Sequence, residues 1–214
     1  LNKKRAQENA DRQARLAAIQ SQQRAGERKR NTLIFGGIAL VIVAIIVAVT
    51  IVIVQQVQEN NRIDELASAD IEGVETFEDL AANHVDAPVE YEQTPPVGGD
   101  HSPIWTNCGV YTEPLPNENT VHSMEHGAVW ITYQADLPQA EIDALTELVG
   151  DRAYVVMSPF EGLESPIVAS AWGIQLSLDS ADDERLQAFL AKYVEGEQTP
   201  EPGAPCTGGI DPTA

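Results

Sequence analysis

The chain has 214 residues and a formal net charge of −20, from 33 Asp and Glu against 13 Lys and Arg. That balance excludes a nucleic-acid-binding role, and two cysteines are too few for a scaffold held together by disulfides alone. With 43% apolar residues, the length supports one ordinary core domain plus appendages.

The charge is unevenly placed. Residues 1–32 carry nine of the basic side chains against three acids, whereas the chain beyond Val54 carries four against thirty. Residues 3–30, rich in Ala, Gln, Arg and Glu and free of proline, predict a helix. Leu16 and Ile19 make no broad apolar stripe on it, so it reads as a solvated or partner-bound helix. Leu33–Val54 then runs 22 residues without charge or proline. As a helix it spans roughly 33 Å, enough to cross the hydrocarbon core of a bilayer. Basic flanks stay inside, so the expected topology is a cytoplasmic segment (1–32), one transmembrane helix (33–54), a polar helix-compatible stalk (55–75) and an external domain (76–214). A cleaved signal peptide is the competing reading. It has a shorter apolar core, of about 7–15 residues, and a small-residue cleavage site, which Gln55–Glu59 does not supply.

In the external part, Thr76–Leu80 suggests a brief helix capped by Thr76. Asp86 to Pro116 is dense in proline and glycine and predicts turns and extended chain around His101, Trp105, Cys108 and Tyr111. Regular structure follows. Ala128–Tyr133 reads as a strand, Leu137–Val149 as a helix, and Arg152–Met157 and Pro166–Trp172 as strands. Ile174–Leu178 reads as an extension of the last strand or a third one. A helix capped within Ser180–Asp183 runs to Val194. This order predicts an α+β domain: a small, mostly antiparallel sheet with helices on one face.

Cys108 and Cys206 allow a single pairing, in a compartment where disulfides persist. Cys206 lies in the Pro/Gly-rich tail Gly196–Ala214, which has little apolar surface to bury, so a staple from tail to body is the simplest role. Metal ligation and free thiols are the alternatives.

The densest chemistry is Val121-His122-Ser123-Met124-Glu125-His126-Gly127. On a helix, His122 and His126 fall at i and i+4 on one face, with Glu125 beside them as base or carboxylate ligand. Three readings follow. An H-x-x-E-H peptidase site needs a rigid helix beneath the motif, and Gly127 with the β-rich run after it leaves room for about one turn. A non-hydrolytic site would use His122 and His126 with His101, Cys108 or Glu125. Zinc and copper both suit imidazole, and Met124 would favour copper. In the third reading the histidines only tie the proline-rich segment to the sheet through hydrogen bonds. Glycine-rich phosphate loops, C-x-x-C and G-x-S-x-G are absent from the sequence, so no enzymatic activity is expected.

The combination of Thr94–Pro103 (T-P-P-V-G-G-D-H-S-P), Asn107–Tyr111 (N-C-G-V-Y), Val121–Val129 (V-H-S-M-E-H-G-A-V) and Gly203–Cys206 (G-A-P-C) behind one apolar helix resembles a family of actinobacterial single-pass membrane proteins of unknown function. The resemblance spans about residues 70–210. One member of that family is associated with the respiratory cytochrome bcc–aa3 supercomplex. The resemblance therefore implies a non-catalytic accessory subunit, bound to the membrane and to respiratory-complex subunits. The acidic outer part would suit a cationic electron carrier. The alternative expectation is an independent envelope protein that binds copper or zinc through His122, His126, Glu125 and His101.

Overall fold

A computed structural model describes residues 2–68, 70–150 and 152–212. The chain divides into two units, Leu1–Glu59 and Asn60–Ala214. Helix α1 runs without a break from Asn2 to Ser68, as expected for a proline-free segment whose apolar stretch passes directly into polar, helix-compatible chain. Within it, Ile34–Ser68 contains a stretch long and apolar enough to cross a membrane, with a mean hydropathy of 3.4 and no part of it buried among the described residues. Leu40 is 73% exposed and Phe35 67%.

The second unit is α+β, with a mixed six-stranded sheet in the order β1-β6-β5-β3-β4-β2. In chain order the elements are β1 (Val74–Thr76), β2 (Gly109–Val110), α2 (Asn117–Glu125), β3 (Val129–Tyr133), α3 (Gln139–Val149), β4 (Val155–Pro159), β5 (Ile167–Ala171), β6 (Ile174–Leu178) and α4 (Glu184–Tyr193). The strand from Val129, both later helices and the separate third strand at Ile174 fall where the β-forming residues and the helical spacing place them. The expected strand at Arg152 starts later, because Tyr154 adopts φ 55° and extended pairing begins only at Val155.

Two sequence expectations are corrected and a third, on the sheet, is narrowed. Thr76–Leu80 is not a helix: Thr76 closes β1 against Ile174, and the Phe77 N–H bonds to the Gly173 carbonyl instead of a helical partner. The sheet has three antiparallel pairings of five, in line with the expectation, but it is mixed, since β3 and β4 are parallel and joined by α3, and β2 adds parallel to β4. A strand–helix–strand crossover brings adjacent strands in parallel, which two-residue hairpins cannot do. Nor do the helices share one face. Leu145 and Val149 of α3 and Leu186, Phe189 and Leu190 of α4 pack with Val129, Ile131, Val155 and Met157. On the opposite face, Val121 and Met124 of α2 pack with Trp130 and Val156. Alternate residues of β3 and β4 thus feed two separate cores, as the period of two in a strand requires.

The start of α4 is fixed by Asp183, whose carboxylate accepts the Arg185 backbone N–H at 2.9 Å and the guanidinium at 2.7 Å. These bonds from Arg185 hold the Asp183 carboxyl below its ordinary range. A depressed folded-state pKa contributes stability above the unfolded value, near 3.9, and loses it as pH falls through the folded value. Asp183→Ala should cost about 1 kcal/mol at neutral pH, the usual worth of an N-cap. The difference in thermal midpoint between variant and parent, about 2–4 °C for a domain this size, should shrink toward pH 3.

Candidate metal centre

Helix α2 is the platform of the site, and it is longer than the sequence suggested. Pro116 stands at its N-cap with extended backbone (φ −63°, ψ 125°), and the helix runs nine residues instead of one turn. Its sequence, Asn117-Glu118-Asn119-Thr120, has weak helix propensity, and only Val121 and Met124 form an apolar face, so tertiary packing sets its length. Thr120 through Glu125 are all buried between the sheet and the proline-rich segment. Gly127 ends it at φ 105°, and a Cβ there would stand 3.1 Å from the Glu195 Cα. Only glycine turns the chain this sharply into β3.

The helical spacing brings His122, Glu125 and His126 to one side, as expected. The proline-rich segment supplies His101, which is fully buried and edge-on to Trp172, with ring centroids 5.7 Å apart. A parallel bridge sets His84 beside His101. The tail supplies Glu201, whose N–H donates to the Glu125 carbonyl.

The hydrogen bonds decide the tautomers. His101 Nδ1 donates to the Gly99 carbonyl at 2.7 Å, His122 Nδ1 to the Ser102 carbonyl at 2.6 Å, and His126 Nδ1 to the Pro205 carbonyl at 2.8 Å. A carbonyl oxygen only accepts, so each Nδ1 carries a proton, and in the neutral form of each ring Nε2 is the bare nitrogen. Those nitrogens converge. His122 Nε2 and His126 Nε2 are 2.9 Å apart, and His101 Nε2 is 2.9 Å from Glu125 Oε2. His84 Nε2 lies 3.5 Å and His122 Nε2 4.0 Å from the same carboxylate oxygen. Lone pairs at such distances repel unless a cation or extra protons lie among them. Burial pushes the His122 imidazole down to about 4, against the opposing pull of the Ser102 carbonyl, so His122 resists an extra proton. A divalent cation meets the same demand without protonating any ring. An imidazole held by an Nδ1–H···O=C bond is also the arrangement by which proteins orient metal-ligating histidines.

Ligand atoms of His84, His101, His122 and Glu125 lie within 4.8 Å of one another, and so do those of Glu125, His126 and Glu201. The structure therefore brings together all four residues expected from the sequence and adds two. His84, its side chain 46% exposed, stacks on His122 with centroids 4.8 Å apart. It sits in irregular chain with no spacing signal, and only the bridge to His101 reveals it. Glu201 lies in the tail that the Cys206–Cys108 disulfide tethers to the domain, and no local pattern marks it as a ligand. Cys108 and Cys206 are indeed joined in a disulfide, with Cα atoms 5.4 Å apart, so neither offers a thiolate ligand. Met124 packs in the apolar cluster with Trp130.

Residues 84–208 match one protein family, described as Protein of unknown function (DUF3105). No curated protein and no solved structure matches the chain.

Proposed function

The chain belongs to the DUF3105 family, and from its site we propose that this family member is a membrane-anchored, non-catalytic metal-binding protein that holds Zn²⁺ or Cu²⁺ outside the cytoplasmic membrane. One observation carries the reading: three imidazoles with Nδ1 fixed on backbone carbonyls aim their Nε2 atoms at one another and at a buried carboxylate. A nitrogen-and-oxygen donor set suits Zn²⁺ and Cu²⁺, whereas Cu⁺ prefers sulfur. His101 is fully buried and Glu125, His126 and His122 are 3–4% exposed, while His84 and Glu201 reach solvent at the edges of the site. Burial of the H-x-x-E-H side chains favours holding over hydrolysis.

The apolar part of α1 supports the anchor, because a helix surface this apolar needs lipid or protein around it. The basic residues before it orient residues 1–32 to the cytoplasm and the acidic domain outward. A cysteine probe at Asp182 should react with an impermeant reagent in intact cells, and one at Ser21 should not. The reverse pattern would overturn the orientation.

For the metal, Cu²⁺ is the sharper probe. Trp105 lies 5.0 Å from His126 and Trp172 5.7 Å from His101, ring centre to ring centre. Stoichiometric Cu²⁺ added to the full chain in detergent should quench tryptophan emission, and a chelator should restore it. Unquenched emission would count against the reading.

A second role, as an accessory subunit of a bcc–aa3 respiratory assembly, draws support from the helix surface at Gly36 and Gly37, where a Cβ would meet nothing within 4 Å and another helix can approach closely. The acidic domain would then face basic subunit edges or a cationic electron carrier. Assembly isolated through a tagged oxidase subunit should contain this chain. Its migration as a small independent species would leave the metal-binding role alone.

A further inference from the structure

Resting on the metal-binding reading above, we propose that the centre holds two divalent ions, bridged by the Glu125 carboxylate, with the second ion capped from the tail by Glu201. The donors fall into two overlapping sets. His84, His101, His122 and Glu125 form one, and Glu125, His126 and Glu201 the other. Three imidazoles and a carboxylate already complete a four-coordinate zinc shell, so the first set is full with one ion.

That ion leaves a donor over. Bound to the first ion, His122 no longer presents a lone pair, but His126 Nε2 still lies 2.9 Å from it with its own lone pair unengaged. Its Nδ1 is committed to the Pro205 carbonyl, so the ring cannot turn to another tautomer without breaking that bond. The nearest negative groups are Glu201, whose Oε2 is 3.7 Å from His126 Nε2, and Glu125. A carboxylate has two oxygens and about four lone-pair sites, enough to serve ions on both sides. Carboxylate-linked pairs of ions about 3.5–4 Å apart are an established arrangement in proteins.

The two positions differ in access. The first is enclosed except at His84. The second has three protein ligands, one of them the Glu201 side chain at 53% exposure, so solvent completes its shell. The second ion is therefore the exchangeable one, and the tail beside Cys206 forms its cover.

Stoichiometry separates the outcomes. Full chain in detergent, stripped by chelator and then loaded with Zn²⁺, should retain two ions per chain. A weak chelator should withdraw one at least tenfold faster than the other. Glu201→Gln should retain one ion. Loaded with Cu²⁺, the parent should show the electron paramagnetic resonance spectrum of a coupled pair, and Glu201→Gln that of an isolated ion. One ion in the parent, unaffected by Glu201→Gln, would overturn the pair while leaving a single-ion centre intact. Two ions in both would overturn the assignment of Glu201, and none in the parent would overturn the metal-binding reading itself.

Discussion

The double variant His122→Ala, His126→Ala should lose Zn²⁺ affinity by at least about a hundredfold. Losing only an outer partner of a ligand commonly costs 10–100-fold, and here two ligands are removed at once. The effect should also appear in stability. Ligand at a hundred times its dissociation constant stabilises the folded state by about 2.7 kcal/mol, which for a domain this size corresponds to about 5–10 °C in thermal midpoint. Zinc should therefore raise the midpoint of the parent and leave the double variant unmoved. Without metal, the two proteins should melt within a few degrees of each other, because the variant also removes the opposed lone pairs at 2.9 Å. A zinc-dependent rise of equal size in both would place the ion elsewhere.

The second large effect is expected from the disulfide. Cys108 and Cys206 are 98 residues apart in sequence, and closing a loop of that size is worth up to about 4.7 kcal/mol in the chain-entropy account, with native disulfides typically giving 2–5. The double variant Cys108→Ser, Cys206→Ser should lose stability on that scale. It should also bind metal less tightly. Pro205, next to Cys206, supplies the carbonyl that fixes His126 Nδ1, and the Cys108 N–H bonds to the Cys206 carbonyl at 2.8 Å. Freeing the tail therefore loosens the tautomer of one ligand and the position of Glu201 together. A loss of stability with unchanged metal affinity would show that the staple and the site are independent.

Much of this architecture was legible in the sequence, and the gaps have physical causes. Helices α3 and α4 and strand β6 are long enough to show their period, and β3 and β5, buried at every position, are announced by runs of β-forming and apolar residues. β1 and β2, with three and two residues, are too short to show any period, and they pair only because neighbouring strands leave edges open. α2 is the instructive omission. Its apolar face is two residues wide and its polar residues are buried, so the usual contrast between an inner and an outer face is missing. The same burial makes it the metal platform, since His122, Glu125 and His126 point into protein and not water. The ligands within α2 could be foreseen from their i, i+3, i+4 spacing. His84 and Glu201 are brought in by long-range contacts, a bridge to His101 and a disulfide-tethered tail, and no local pattern encodes either.

X-ray absorption at the zinc edge, on the full chain loaded with zinc in detergent, tests the metal centre most directly. The account predicts a first shell of nitrogen and oxygen at about 2.0–2.1 Å with no sulfur near 2.3 Å, together with the outer-shell scattering of several imidazole rings. A shell of oxygen alone, without imidazole scattering, would mean that zinc sits on surface carboxylates and that the histidine cluster does not hold it.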